Sequence, residues 1–131
     1  MPLPHPALHA SHAGIWIADA GAGAGETRQI GRGEAIRIAA DTPVIVLNAP
    51  LAGQRLGQAE LSGLDLLELF AFLFPARFVV PTPQGLARAI GIDPPARDET
   101  VAPFLRDAAE ALLAVLDGDW PEREGAWTAA Q

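Results

Sequence analysis

The sequence predicts one α/β domain, in which a short β-sheet with an N-terminal hairpin is packed by about five helices. Three observations indicate this class. Residues 44–47 are a continuous apolar run with the length of a strand that is covered on both faces. Several later segments have the apolar repeat of amphipathic helices, and the clearest of them ends at Pro75. The chain has 131 residues, which is enough for one hydrophobic core without disulfides or a structural metal.

The elements before the apolar run follow from local composition. Residues 1–13 contain three prolines and three histidines without a sustained period, so we expect an irregular arm. Residues 14–19 and 27–30 are rich in strand-forming types on either side of a glycine-rich gap, which predicts a β-hairpin. A short helix is expected over residues 33–40, because Pro43 biases the residue before it away from helical conformations.

The elements after the run are mostly helical. In the most strongly apolar predicted helix, residues 62–75, the large apolar side chains recur at positions i, i+3, i+4 and i+7. Either Ser62 or Asp65 can cap the start of this helix. Residues 76–83 hold a short apolar stretch between prolines and predict an extended connector or an edge strand. The predicted helices cover residues 50–57, 62–75, 83–91 and 99–116. The apolar run at 44–47 is then the best candidate for the central strand of the sheet.

Charge and composition exclude several classes of protein. The nine basic residues are all arginine against sixteen acidic residues, a net charge of −7, which disfavours binding nucleic acid by electrostatic attraction. The absence of cysteine excludes disulfides, thiol nucleophiles and thiolate metal sites. The N-terminus lacks the features of a secretory signal, and no apolar run approaches the ~20 residues needed to span a bilayer. We therefore expect a cytoplasmic location and no membrane partner.

Two patterns resemble ligand sites but have simpler explanations. His5, His9 and His12 have a spacing that would share one face of a helix, as zinc ligands do, yet the neighbouring prolines argue against that helix. The glycine-rich residues 21–25 follow a strand, as a phosphate-binding loop does. They lack the following helix, and the chain has no lysine to complete such a loop, so we expect a hairpin loop instead.

Acidic and aromatic residues give further candidates. Asp65 and Glu68 lie three apart and can meet a divalent cation from one helix face, although a cap and a solvated edge explain them equally. Trp16, Trp120 and Trp127 are expected to be packing or interface anchors, because acidic surroundings do not suit base stacking.

Three successive segments carry a resemblance to a known family. Residues 42–51 form a strand that runs into Asn-Ala-Pro-Leu, residues 63–75 form an apolar helix entered through Gly-Leu-Asp-Leu-Leu-Glu-Leu, and residues 85–92 read Gly-Leu-Ala-Arg-Ala-Ile-Gly-Ile. In this order they resemble the middle and end of DnaQ-type 3′–5′ exonucleases, and the resemblance extends over residues 42–116. It implies a ribonuclease-H-like fold.

The resemblance also implies that the nuclease centre is incomplete. The Asp-x-Glu of the family's first strand would start at Asp19, but Gly21 stands in place of the glutamate. The later family aspartate and histidine fall on Ala52 and Ala102, and Asp107 remains of the final motif. A two-metal mechanism needs the full set of ligands. We therefore expect a degenerate exonuclease-like domain without nuclease activity.

A second resemblance covers nearly the whole chain. Its segments are residues 8–20, 31–36, 47–51, 62–72 and 124–131, and together they resemble the N-terminal region of DinG-like ATP-dependent DNA helicases of alphaproteobacterial type. The ATPase motor is absent from these residues, so the resemblance implies that ATP and Mg²⁺ belong to a full-length parent and that this chain has no cofactor of its own. It implies motor domains in cis as the partner and DNA contact only through the parent.

The sequence therefore predicts three parts: an irregular arm over residues 1–13, a degenerate exonuclease-like domain over residues 14–118, and over residues 119–131 the start of a helix leading to a missing C-terminal region. The favoured function is a non-catalytic accessory domain of a helicase involved in DNA repair or replication. One alternative is a divergent metal-dependent 3′–5′ exonuclease. Another is a free-standing protein-interaction domain. The relict catalytic candidates are Asp19, Asp65, Glu68 and Asp107, and the interaction candidates are Asn48, Trp120 and Trp127.

Overall fold

The computed structural model describes residues 5–19, 27–57, 61 and 63–117. These residues form a five-stranded mixed sheet and five helices, which confirms the predicted α/β class. The strands are β1 (Ala7–Ser11), β2 (Gly14–Ala18), β3 (Arg28–Ile30), β4 (Val44–Val46) and β5 (Gly63–Asp65). The helices are α1 (Arg32–Asp41), α2 (Ala49–Leu56), α3 (Leu66–Leu73), α4 (Pro83–Ile90) and α5 (Asp98–Asp117).

The sheet has the strand order β3-β2-β1-β4-β5. The first three strands in the chain form an antiparallel meander, and it includes the predicted hairpin, which is β2 paired with β3. The last two strands add on the other side of β1: β4 runs parallel to β1, and β5 runs parallel to β4. Therefore β1, β4 and β5 all end on the same side, which we call the carboxyl end of the sheet, whereas β2 ends on the opposite side.

We expected residues 1–13 to form an irregular arm, and this prediction is wrong for residues 7–11. These residues form β1, the central strand of the sheet. Leu8 is fully buried, and the Ile45 amide of β4 donates a hydrogen bond to the Pro6 carbonyl at 2.8 Å. The strand is hard to recognise because its apolar residues alternate with His9 and Ser11, and alternation of this kind ordinarily marks a strand with one face in solvent. The run predicted as the central strand, β4, is buried but lies next to the centre.

The most strongly apolar helix is shorter than predicted. Residues that were expected to form its first turn instead pair with β4 as β5, and α3 begins only at Leu66. Gly63 suits this strand because a Cβ atom there would overlap the Val44 carbonyl oxygen. Asp65 is the N-cap residue of α3, which confirms one of the two predicted alternatives. The other alternative, Ser62, lies outside the described residues.

The core has two layers, one on each face of the sheet. On one face α1 and α2 cover side chains of β1, β2 and β4. On the other face α3, α4 and α5 cover the opposite side chains of the same strands, and α5 packs directly on β1 and β2. The fully buried large side chains include Leu8, Ile17, Val44, Ile45, Val46, Leu56, Leu66, Phe70, Leu73, Leu86, Leu105 and Leu112.

The remaining predicted helices are confirmed near their expected positions. Both α2 and α4 start with proline in the first turn and end at a glycine with positive φ, Gly57 and Gly91 respectively. Residues 76–82 connect α3 to α4 without forming a strand. Pro103 lies in the second turn of α5. Within the described ranges, no helix combines the length and apolar character that crossing a membrane requires.

Candidate functional site

A groove opens at the carboxyl end of the sheet. It lies between the ends of β1 and β4, the start of α2, the start of α4 and Leu105 of α5, and its volume is about 240 Å³. Most of its wall is apolar, and four polar side chains line it: His9, Asn48, Arg55 and Thr82. A concave apolar surface with a few polar groups is the usual form of a binding site, so this groove is the candidate functional site.

The first polar element beside the groove is a cluster that joins β1 to α5. The Nε2 atom of His9 lies 3.1 Å from Oδ1 of Asp98, and the Ser11 hydroxyl donates to Oδ2 of Asp98 at 3.0 Å. His9 and Ser11 are two residues apart on a strand, so their side chains lie on the same face and both meet the first residue of α5. We call His9, Ser11 and Asp98 the β1–α5 clasp.

The geometry of the clasp does not suit nucleophilic catalysis. In a serine hydrolase the histidine accepts the serine proton and the carboxylate orients the histidine. Here the Ser11 hydroxyl and the His9 ring both bond to the Asp98 carboxylate, and so Ser11 has no base among these three residues to activate it. The clasp therefore acts as a structural tie. Its hydrogen bonds, first that of His9 and then that of Ser11, lower the pKa of Asp98.

Arg55 is also held in place by the strand. Its Nη1 atom donates to the Ala10 carbonyl oxygen at 2.6 Å, so α2 is fixed to the end of β1. The same guanidinium contributes to the low pKa of Asp98 through its positive charge. The sequence analysis did not select Arg55, Thr82 or Asp98, because nothing in their local sequence places them near β1.

Asn48 and Asp65 come together at the carboxyl end of the sheet, as helix caps. The Asn48 side chain accepts a hydrogen bond from the Leu51 amide at 3.2 Å and caps α2. Asp65 is 6% exposed and uses both carboxylate oxygens: Oδ1 accepts from the Glu68 amide at 3.1 Å and Oδ2 from the Ala49 amide at 2.8 Å. Asp65 therefore caps α3 and also binds the first turn of α2.

Asp19 lies away from this site, beyond the last residue of β2 at the opposite end of the sheet. Its carboxylate pairs with Arg28 of β3, with an Nε to Oδ2 distance of 3.3 Å. Arg28 also pairs with Glu34 of α1, and the two hydrogen-bonded acids raise the pKa of Arg28. Asp19 and Asp65 therefore cannot belong to one catalytic set in this fold. Because β2 runs antiparallel to β1, Asp19 lies at the end of the sheet opposite to Asp65.

Glu68 and Asp107 are exposed side chains on two different helices. Glu68 lies in the first turn of α3, where a negative charge suits the helix dipole. Asp107 lies midway along α5, and its pKa is raised, first by partial burial and then by the neighbouring Glu110. Arg106, the residue before it, donates to the Asp19 carbonyl oxygen at 3.2 Å, so this part of α5 lies at the Asp19 end of the sheet.

These positions do not fit a two-metal centre. Such a centre needs several carboxylates converging on adjacent metal ions. Asp65 already accepts two backbone hydrogen bonds, and Asp19 lies at the opposite end of the sheet. Across the ranges that the structure describes, no three His, Cys, Asp or Glu side chains lie close enough together to hold a metal ion.

Of the three tryptophan candidates, Trp16 is the one that the structure describes. Trp16 is buried on β2, and its ring stacks on the His9 ring with centroids 5.9 Å apart. It therefore supports the clasp from the side. Trp120 and Trp127 lie outside the described residues.

Comparisons with models of protein families, with curated proteins and with solved structures found no match.

Proposed function

We propose that this chain is a non-catalytic accessory domain of an ATP-dependent DNA helicase, with a ribonuclease-H-like sheet on which the nuclease centre has been lost. The observation that carries the non-catalytic part is the bonding of Asp65. Asp65 is buried at the carboxyl end of the sheet, and both of its oxygens accept backbone hydrogen bonds, from the first turns of α2 and α3. A carboxylate bonded in this way stabilises the starts of two helices.

The sheet topology supports the fold proposed. The described sheet is an antiparallel meander followed by two strands that run parallel to its first strand, with the order β3-β2-β1-β4-β5, and this mixed arrangement supports the proposal. The exonuclease resemblance of residues 42–116 implies the same fold. At the carboxyl end of β1 the chain carries His9 and Ser11, both in contact with Asp98.

Exposed apolar side chains support a role in contacting another domain. Phe78, in the connector between α3 and α4, is 85% exposed, and Val80 in the same connector is 46% exposed. Pro81 follows directly and lines the groove together with the exposed Leu51. A set of exposed apolar residues beside a groove is typical of an interaction surface. In the proposed function its partner is the helicase motor in cis, and ATP, Mg²⁺ and DNA are bound by that motor in the cytoplasm.

The reading frame of the coding DNA beyond the codon for Gln131 tests the helicase part directly. We expect the frame to continue into a motor that contains a glycine-rich phosphate-binding loop ending in Lys-Ser or Lys-Thr. A stop codon directly after Gln131 would contradict an accessory role in cis. It would favour the free-standing interaction domain, for which the exposed Phe78 would remain the contact surface.

A further inference from the structure

The polar side chains in the groove at the carboxyl end of the sheet mostly have hydrogen-bond donors left to offer. Asn48 Oδ1 already accepts from the Leu51 amide, which leaves the NH₂ group of Asn48 as a donor. Thr82 Oγ1 accepts from the Gly85 amide at 2.9 Å, so its O–H is available to donate. Arg55 carries donors only. The groove therefore suits a ligand that supplies hydrogen-bond acceptors.

Arg55 adds a positive charge to the groove wall. Its Nη1 atom is bonded to the Ala10 carbonyl oxygen, and the ion pairs among the described residues do not include Arg55. The Asp98 carboxylate, whose charge would oppose an anion, is not part of the groove wall, and its two oxygens contact His9 and Ser11. A guanidinium has several N–H donors in a planar fork, which matches the two oxygens of a carboxylate. The position of Arg55 therefore favours an anion in the groove.

The size and the apolar walls of the groove limit what this anion can be. Its volume of about 240 Å³ lies between the ~150 Å³ cavity that holds a benzene ring and the ~300 Å³ of the smallest sites for drug-sized ligands. The apolar wall includes Leu51, Ala52, Pro81 and Leu105. One guanidinium, in a chain with a net charge of −7, disfavours phosphates and other multiply charged anions.

We propose that the groove binds a small monocarboxylate with an apolar body, such as a single ring or a short branched chain. The carboxylate pairs with the Arg55 guanidinium, with Asn48 and Thr82 as further donors, and the apolar body packs against Leu51 and Leu105. This binding is a property of the chain's own residues, so it does not depend on a helicase motor.

The test titrates the chain with phenylacetate and follows backbone amide shifts by NMR. We expect saturable shifts at amides of the groove wall, those of Leu51 and Ala52 among them. Phenylacetamide has the same shape without the charge, and it should bind at least about tenfold more weakly because it lacks the charge-assisted hydrogen bonds to Arg55. Acetate lacks the apolar body and inorganic phosphate lacks it as well, so both should also bind more weakly than phenylacetate.

Variants of the groove wall locate the site. Arg55→Met keeps an apolar stem and removes the charge, so phenylacetate should bind at least about tenfold more weakly, whereas Arg55→Lys should retain part of the affinity. Arg37→Met removes the same charge from an exposed position of α1 outside the groove wall, and it should leave the affinity unchanged. Ala52→Leu fills part of the groove while Arg55 stays in place, and it should also weaken binding.

Two results with the unmodified chain would overturn the proposal. One is the absence of saturable shifts at groove amides, and the other is equal affinity for phenylacetate and phenylacetamide, because the groove would then not recognise the carboxylate. Phosphate binding as tight as that of phenylacetate would indicate a general anion site and would also contradict it. Equal effects of Arg55→Met and Arg37→Met would mean that only net charge matters. If the amide spectrum shows that Arg55→Met does not fold, the measurements on the unmodified chain decide.

Discussion

His9 and Asp98 are 89 residues apart in sequence, and the 3.1 Å contact between Nε2 and Oδ1 fixes the start of α5 to the central strand of the sheet. The Ser11 hydroxyl holds the second oxygen of the same carboxylate, and Trp16 packs against the His9 ring. Polar side chains on a strand that is covered on both faces need partners, because an unpaired buried polar group costs about 1–3 kcal/mol. Asp98 supplies that partner, and this is how β1 can occupy the centre of the sheet.

Removing the Asp98 carboxylate should therefore loosen the contact between α5 and β1. We expect Asp98→Ala to lower the free energy of unfolding by about 1 kcal/mol, because His9 and Ser11 both lose a hydrogen-bond acceptor that is 41% exposed. Urea unfolding at neutral pH measures the change. Glu99→Ala is the matched control, since Glu99 occupies the next position of α5 and its carboxylate makes an exposed ion pair with Arg97 at 3.2 Å, which adds little to stability. An equal effect of the two variants would mean that the clasp adds nothing to stability.

The clasp also predicts a dependence of stability on acid. The pKa of Asp98 is lower in the folded chain than in the unfolded chain, chiefly because of the hydrogen bond with His9. The folded state then binds fewer protons, so the contribution of Asp98 is complete above its ordinary pKa of about 4 and is lost as the pH falls below that value. The unfolding free energy of Asp98→Asn should decline less than that of the unmodified chain between pH 5 and pH 3. Parallel profiles for the two proteins would contradict this assignment.

Asp65 should stabilise the folded chain through its two hydrogen bonds to backbone amides. Asp65→Ala leaves the Ala49 and Glu68 amides without their acceptor, so we expect the free energy of unfolding to fall by about 2 kcal/mol. Glu68→Ala, three residues further on at an exposed position, should change stability by less than about 0.5 kcal/mol. Both values should be the same with and without Mg²⁺. Stabilisation of the unmodified chain by Mg²⁺ that disappears in Asp65→Ala would instead identify Asp65 as a metal ligand.

The pairing of β5 with β4 depends on a glycine. A Cβ atom at Gly63 would overlap the Val44 carbonyl oxygen, so Gly63→Ala should separate the two strands and lower the unfolding free energy by about 1–3 kcal/mol. Gly33 of α1 has open space at the same position, and Gly33→Ala should raise stability by about 0.5 kcal/mol through helix propensity. Thermal unfolding of the two variants compares them directly. Equal and small changes would show that β5 tolerates a side chain at Gly63.

Local sequence signals were sufficient for some elements of the fold and insufficient for others. The ends of α2 and α4 were predictable because proline and glycine act at fixed positions within a few residues. β1 and β5 were not, because the burial of β1 depends on Asp98, far away in sequence, and β5 has three residues whose conformation is set by parallel pairing.

The same limit applies to the candidate site. Asn48 and Asp65 both follow or end parallel strands, so their meeting at one end of the sheet follows from topology. The exonuclease resemblance places Asp19 at the Asp-x-Glu position of the family's first strand, but a motif does not state in which direction its strand runs, and β2 runs antiparallel to its neighbours. Arg55 and Asp98 gave no local signal, because their roles arise only when α2 and α5 pack against β1.

An exonuclease assay of this chain on single-stranded DNA labelled at its 5′ end, with Mn²⁺ or Mg²⁺ present, tests the loss of the nuclease centre. Because Asp65 accepts hydrogen bonds from the first turns of two helices and Asp19 lies at the other end of the sheet, we expect no shortening of the DNA beyond that seen without protein. A ladder of products shortened from the 3′ end, present with metal and absent in Asp65→Ala but retained in Glu99→Ala, would contradict the account and identify the chain as a divergent nuclease.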